Sequence, residues 1–360
     1  RQGIKSYLTV NTVIYGEDLP LMREIIDAAK DAGVSAIIAA DVAAMNYANS
    51  IGQEVHLSTQ LNISNVEALK FYARFADVVV LARELNLKQV HEIYQEIVKQ
   101  QIKGPKGELI RIEMFAHGAL CMAVSGKCYL SLHEMNASAN RGACMQICRR
   151  AYTVHDKDSQ IELDVENQYI MSPKDLKTIH FMNKMMDAGV RVFKLEGRAR
   201  GPEYVRLVTE CYKEAVKAYC EGTFDEEKVA VWDERLRRVF NRGFWDGYYL
   251  GQRLGEWSSK YGSGATRKKV YVARGIKYFS GIGVAEFEME SGSLRVGDEI
   301  LVTGPTTGAV MQTVDEIRVD LKPVEETVKG ERFSIKMSEK IRPSDRLYKM
   351  EKVQIEKELR

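Results

Sequence analysis

The feature that most constrains this chain is an alternation that runs through its first two-thirds, in which short apolar, β-branched runs are separated by amphipathic stretches of helical period. The runs are Ser6 to Thr12, Ala36 to Asp41, Glu54 to Gln60, Asp77 to Glu84, Arg111 to His117 and Arg191 to Glu196. Each is apolar along most of its length, as a parallel strand covered on both faces must be. Between them, Leu19 to Ala32, Asn65 to Phe75 and Leu87 to Lys99 gather their apolar residues on one helical face. This βα alternation defines an α/β protein and predicts a TIM-type β/α barrel. A closed barrel has eight strands, and six are visible here. Two N-terminal βα units are therefore expected to be missing from this chain, which opens on Arg1 and not on Met. An open doubly wound sheet is the alternative, without a Gly-rich first turn to support it.

Where such runs end, function gathers. The polar strand-end residues are Asn11, Asp41, Gln60, Glu84, His117 and Glu196. For any one of them, a helix cap or turn is an equally good reading. The barrel is expected over residues 1–222, with an insertion at 118–168 too long for an ordinary loop. Ser172-Pro173-Lys-Asp175 reads as the N-cap of a helix running to about Ala188. A second helix is expected over Pro202 to Glu221, with Tyr204, Val208, Cys211, Tyr212, Ala215 and Tyr219 on related faces and Cys211 and Cys220 core or half-buried. A partly helical linker follows at 223–264, its aromatics Phe240, Phe244, Trp245, Tyr248 and Tyr249 packing against the barrel. Over 265–350, short alternating segments punctuated by glycine predict a small β-barrel, and 351–360 is a charged tail.

The insertion carries the chemistry. Four of the six cysteines fall within 28 residues, spaced C-x6-C, x15, C-x3-C, as Cys121, Cys128, Cys144 and Cys148. Six cysteines in 360 residues are too few for a disulfide scaffold. Four thiolates match the ligand count of a 4Fe-4S cluster and of structural zinc. The lack of tight two-residue knuckles leans towards iron-sulfur, with zinc and plain buried thiols as the alternatives. Lys127, Arg141, Arg149 and Arg150 are nearby cations that would keep thiolates deprotonated, or else form a solvated face. The Arg149-Arg150 pair offers a grip for a phosphate or carboxylate. His117 is a candidate ligand or proton donor, although a strand-end histidine held by backbone hydrogen bonds is more common. Glu196, Arg198 and Arg200 place an acid and two guanidiniums past a strand end, suited to orienting a small anion or simply to fixing the loop.

Other classes find no support. There is no H-E-x-x-H, no G-x-S-x-G turn, no Walker loop and no dinucleotide fingerprint. No run of eighteen apolar residues and no signal pattern occur, so a cytoplasmic location without membrane contact is expected. The net charge of +2 leaves any nucleic-acid surface to local clustering of Lys and Arg.

Glu113-Met-Phe-Ala-His-Gly-Ala-Leu-Cys121, Gly126-Lys-Cys128-Tyr-Leu-Ser131, Asn140-Arg-Gly-Ala-Cys144-Met-Gln-Ile-Cys148-Arg and Lys194-Leu-Glu-Gly-Arg198 with Glu203-Tyr-Val205 resemble the collagenase-like peptidases of family U32, across essentially the whole chain. Members of this family include tRNA-hydroxylation proteins, which install 5-hydroxyuridine at the wobble position without molecular oxygen and have prephenate as the implicated hydroxyl source. Related quinone-biosynthesis hydroxylases share the four-cysteine site. The resemblance implies Cys121, Cys128, Cys144 and Cys148 as cluster ligands, and tRNA and a small carboxylate donor such as prephenate as partners; the strand-end placement of Arg198 and Arg200 makes them the expected holders of that donor's carboxylates. It also carries a rival, peptidase activity, and a second rival, a non-catalytic RNA-binding module with a structural metal. Gly281-Ile-Gly-Val284, Leu294-Arg-Val-Gly-Asp298-Glu-Ile300 and Pro343-Ser-Asp345-Arg-Leu-Tyr348 resemble the second domain of translational GTPases. That likeness implies RNA contact through Lys268, Lys269, Arg274, Lys277 and Arg295, with Tyr271 or Tyr278 as a stacking face. The bland alternative is a solvated β surface.

Overall fold

A computed structural model describes residues 3–150, 172–252, 255–258 and 262–353. The chain divides into two compact units. One comprises 1–196, 215–226 and 242–263, and the other 197–214, 227–241 and 264–360. The stretch read as a linker, 223–264, is thus shared between them.

The first unit follows the βα alternation: β1 (Tyr7–Val10), α1 (Leu19–Asp31), β2 (Ala36–Ala39), α2 (Val42–Ser50), β3 (Val55–Leu57), α3 (Val66–Ala73), β4 (Val78–Val80), α4 (Leu87–Lys99) and β5 (Arg111–Gly118). A short α5 (Leu130–Met135) lies in the insertion. Then come β6 (Asp175–Lys177), α6 (Met182–Asp187), β7 (Val190–Leu195) and β8 (Phe244–Trp245), while α7 (Pro202–Cys220) and α8 (Glu226–Arg237), which lie between β7 and β8 in the chain, fall mostly in the second unit. Strands β1 to β5 pair in chain order, all parallel, and β7 adds parallel to β5. Local chemistry sets the helix starts. Asn65 accepts from Ala68 N at 2.9 Å, Asp41 accepts from Ala43 N at 2.8 Å, and Asn86 and Gln89 cap each other's backbone. Ile26, Ile37, Met45, Leu57, Leu69, Ile97 and Ile112 are fully buried between helices and sheet.

Two strands were not anticipated. Ser172 and Pro173 do not cap a helix; they lead into β6, which pairs antiparallel with the end of β5 and parallel with β8. The backbone of this stretch is claimed by neighbours, Lys174 N donating to Glu256 O, Asp175 N to Gly243 O and Thr178 N to Ala116 O, which leaves it unable to coil. The helix begins only at Met182. Of the aromatics of the stretch, Trp245 and Tyr249 lie in the core of the first unit with Tyr248 packed against it, whereas Phe240 belongs to the second unit. Tyr204, Val208, Cys211, Tyr212 and Ala215 are buried along α7 as their spacing requires, but Cys220, expected to be core or half-buried, is exposed because the helix ends on it.

The second unit is antiparallel. Its strands are β9 (Arg267–Phe279), β10 (Val284–Met289), β11 (Ser293–Arg295), β12 (Glu299–Gly304), β13 (Gly308–Thr313), β14 (Ile317–Val319), β15 (Lys322–Val324), β16 (Glu326–Val328), β17 (Arg332–Lys336) and β18 (Arg346–Lys352). Eight pair in the order β13-β12-β18-β9-β10-β17-β14-β15, and β11 pairs with β16. Alternation buries Ala285, Phe287 and Met289 along β10, and Phe287 stacks on Phe333 with ring centres 5.6 Å apart.

Candidate metal centre

The insertion leaves β5 at Gly118 and is fastened to the ends of other strands. Beyond β1, Val13 N donates to Asn140 O at 3.1 Å, and Arg141 pairs with Asp18 at 2.7 Å while its guanidinium covers the Tyr15 ring. Beyond β3, Asn62 Nδ2 donates to Ser125 O at 3.1 Å. Gly126, at φ +73°, sits so near Gln60 that a Cβ would fall 2.8 Å from Gln60 Cγ. Asn140 Oδ1 accepts from Cys128 N at 3.3 Å, and Met145 N donates to Ser131 Oγ at 3.0 Å. Two polar strand-end residues singled out in the sequence therefore act as supports, since Gln60 backs the loop and Asn11 donates to Ser58 Oγ, which in turn donates to Gln60 Oε1. Asp41 is a helix cap.

Arg149 joins the two ends of the cysteine run. Its Nη1 donates to Pro173 O at 2.7 Å and Ser172 Oγ at 3.1 Å, and its Nη2 donates to Leu120 O. Leu120 precedes Cys121 and Arg149 follows Cys148, so one guanidinium draws the first and fourth cysteines towards each other. Three of its five N–H donors are thereby engaged within the chain, both of Nη1 and one of Nη2. All four cysteines are free thiols, with Cys121 and Cys144 exposed and Cys128 and Cys148 half-buried. Burial pushes the Cys148 thiol up; Arg149 pulls it back, and negative charge on Cys121, Cys144 and Cys128 pushes it further up. Among the described residues, no three His, Cys, Asp or Glu side chains already stand close enough to grip a metal ion.

Cys121 also forms part of the wall of a cavity of about 260 Å³, together with Arg83, Glu84, Leu176, Trp245, Tyr248 and Trp257. Arg83 stacks on the Phe115 ring at 3.9 Å, and its Nε and Nη1 are buried without a hydrogen-bond partner, as is Nε1 of Trp245. Sequence reasoning stopped at the neighbouring Glu84 and missed Arg83. Its strand-end position was a signal, but its lack of partners can be read only from coordinates.

The remaining candidates are dispersed. His117 is 1% exposed and packs against Phe244, its ring centre 5.6 Å away, and its carbonyl accepts from Glu196 N at 2.8 Å. Arg198 is exposed, and Arg200 stacks on Phe240 at 3.9 Å within the second unit. The cations chosen for RNA contact face carboxylates: Lys268 with Glu351, Lys269 with Glu203, Arg274 with Glu288 and Glu290, and Arg295 with Glu326. Lys277 lies 5.0 Å over Phe279. The Tyr271 hydroxyl, pushed up to about 12 by burial and by Glu290, donates to that carboxylate. Among the described residues, no helix is long and apolar enough to cross a membrane.

Comparison with known proteins gives a consistent family. The profile of peptidase family U32 matches residues 1–259. A Porphyromonas gingivalis protein named collagenase is 73% identical over 351 residues, covering 98% of this chain and 85% of its own length. The Bacillus subtilis tRNA hydroxylation protein P1 is 34% identical, covering 72% of this chain and 62% of its own. An Escherichia coli 23S rRNA 5-hydroxycytidine synthase is 34% identical, covering 71% of this chain and 38% of its own.

Proposed function

Because this chain belongs to peptidase family U32, we propose that it is an enzyme whose four clustered cysteines hold an iron-sulfur cluster, and that it hydroxylates a pyrimidine of RNA, wobble uridine of tRNA being the first candidate. The observation that carries the reading is the Arg149 bridge, which ties Leu120, beside Cys121, to the segment that ends the cysteine run at Cys148, while all four cysteines are free thiols. The donor set fits the group, since four sulfurs from one loop suit a 4Fe-4S cluster, and structural zinc is the alternative. When bound, such a cluster supplies one-electron chemistry beside the substrate. The chain's own residues do the rest. Arg149 holds the two ends of the cysteine run, Asn140 and Gln60 fix its middle, and Cys121 brings the centre to the cavity wall. Trp245, Tyr248 and Trp257 keep that wall largely apolar and exclude water from a reacting base or donor. The reaction requires a small carboxylate as hydroxyl donor, such as prephenate, and a two-electron acceptor, since replacing C–H by C–OH oxidises the base. Six parallel strands wound in chain order, with no reversal point, support reading the first unit as an arc of a β/α barrel with this loop at its strand ends.

A second reading is a collagenase-like peptidase, and a specific observation favours it: the relative at 73% identity carries that name, whereas the RNA-hydroxylation relatives stand at 34%. Identity weighs on the peptidase side, and the four-cysteine donor set with its Arg149 bridge on the redox side. In the second unit, carboxylates facing Lys268, Lys269 and Arg274 weaken the case for strong phosphate attraction there, so RNA is expected to be recognised mainly near the cysteine loop. One experiment separates the readings. Protein prepared anaerobically and its Cys121→Ser variant are assayed on gelatin and on unmodified tRNA supplied with prephenate and an artificial electron acceptor, with nucleoside mass spectrometry and gel-shift binding of the RNA. The proposal expects 5-hydroxyuridine from the parent protein alone and no cleavage from either. Gelatin cleavage by protein free of metal, with RNA unchanged, makes the peptidase reading the correct one. Tight tRNA binding without modification or cleavage leaves a non-catalytic RNA-binding module.

A further inference from the structure

We propose that the buried Asp175–Arg242 pair is a positioning element of the metal centre, because it fixes the stretch of chain on which the cysteine loop is clamped. Metal uptake by that loop and docking of the segment comprising 242–252 and 255–258 then reinforce each other. The inference rests on reading the four cysteines as metal ligands and does not depend on the RNA chemistry.

The argument begins with where Arg149 is anchored. Its Nη1 donates to Pro173 O at 2.7 Å and to Ser172 Oγ at 3.1 Å, so the end of the cysteine run is only as fixed as residues 172–173 are. That stretch is gripped by a segment from far along the chain, which enters the first unit at Arg242. Ser258 N donates to Ser172 O at 2.8 Å, Pro173 bridges Trp257, and Lys174 N donates to Glu256 O at 3.0 Å. Asp175 N donates to Gly243 O at 2.9 Å, and from there β6 pairs parallel with β8. Segment and loop also face one space, since Trp245, Tyr248 and Trp257 line the same cavity of about 260 Å³ as Cys121 and Met122.

Asp175 is the charged fastening of this arrangement. Its side chain, 2% exposed, accepts from Arg242 Nη1 at 3.3 Å and from the Arg242 backbone N–H at 3.2 Å. Both bonds go to the residue at which the segment enters the unit, one position before Gly243. A buried ion pair is a poor source of stability, because desolvation consumes most of the attraction. What it supplies here is a single arrangement, since a misdocked segment strands a buried carboxylate. The pair thereby sets which part of the segment meets β6, and through residues 172–173 it sets where Arg149 is held. Linkage is reciprocal: whatever the docked segment contributes to metal affinity, bound metal contributes to docking.

The test uses the full chain, metal-free and thiol-reduced under anaerobic conditions, titrated with Co²⁺. Arg242→Met, Arg242→Lys and Asp175→Asn leave the four thiols and Arg149 in place and are compared with Ile26→Ala. Ile26 is fully buried on α1, next in the chain to β1 and β2, which stand at the opposite end of the sheet order from β6 and β8. That control lowers stability without touching the pair. The proposal expects Arg242→Met to weaken Co²⁺ binding by about 5- to 150-fold, the usual range of coupling between sites. Arg242→Lys and Asp175→Asn are expected to fall between it and the parent, while Ile26→Ala stays within about twofold. Hydrogen exchange reads the reverse direction. Saturating Co²⁺ slows exchange over 172–177 and 242–252 in the parent by at least about fivefold, and by less in Arg242→Met. Should Arg242→Met fail to fold, Asp175→Asn and the exchange of the parent decide. The proposal is overturned by pair variants that bind Co²⁺ as the parent does, by an equal loss in Ile26→Ala, or by exchange over 242–252 that Co²⁺ leaves unchanged. A parent chain that takes up no Co²⁺ defeats the reading of the cysteines together with this inference; a parent that binds it while the pair variants are unaffected defeats this inference alone.

Discussion

Removing the Arg149 guanidinium tests how the cysteine loop is held. Arg149→Met keeps most of the stem and deletes donors to Leu120 O, Ser172 Oγ and Pro173 O. Each such bond to a charged group is worth about 1 kcal/mol or more after exchange with water, so the arrangement that brings Cys148 towards Cys121 loses about 3 kcal/mol. If a metal binds only when that arrangement is formed, the loss appears in full in its affinity, as roughly a hundredfold weakening. The assay is anaerobic Co²⁺ titration of the thiol-reduced protein, followed by thiolate-to-metal charge-transfer absorption, with circular dichroism confirming that the fold is retained. Arg149→Lys is expected to fall between the two, because one ammonium cannot reach three acceptors spread over two segments. Affinity of Arg149→Met within about threefold of the parent would refute the clamp, since a loss below about 0.7 kcal/mol is too small for three such bonds.

Three further perturbations probe the surrounding structure. Gly126→Ala forces a Cβ against Gln60 at positive φ and is expected to weaken Co²⁺ binding by roughly five- to 150-fold through about 1–3 kcal/mol of strain, with the melting of the second unit unchanged. His56 is buried, and that burial holds its pKa below the ordinary value against the opposing pull of Glu113 and Glu54. The unfolded chain therefore binds the proton first, so stability is lost as pH falls below about 6.5. Denaturant titrations of His56→Gln from pH 7 to 5 should show a shallower loss than the parent, by no more than about 1.4 kcal/mol per pH unit; a steeper loss would reverse the sign. Phe287→Ala removes a fully buried ring stacked on Phe333 and should cost about 3–5 kcal/mol in equilibrium unfolding of the second unit.

Much of this architecture was legible because its determinants are local. The bounds of α4 at Leu87 and Lys99 are those read from its apolar period, and its Asn86-Gln89 box can be seen in the sequence. The six parallel strands announce themselves as apolar runs. By contrast β6 and β8, three and two residues long, exist only because Gly243, Glu256 and Ala116 take up their backbone groups, and no window of sequence contains that information. Cys220 was misjudged for a related reason: helical period assigns a face, but the end of α7 leaves that face uncovered. The cysteine spacing is plain in the sequence, whereas the clamp by Arg149 and the unpaired state of Arg83 depend on what distant segments bring beside them. The carboxylates opposite Lys268, Lys269 and Arg274 were likewise invisible, since each pair spans strands or segments far apart along the chain.

The central claim is that one loop gathers four thiolates around a shared inorganic core. Iron and acid-labile sulfide analysis of anaerobically prepared protein, set beside the Cys121→Ser and Cys148→Ser variants, tests it most directly. The account predicts about four iron and four sulfide per chain in the parent and substantial loss of both in each variant. Stoichiometric zinc without sulfide, or iron content that either serine variant leaves unchanged, would contradict it.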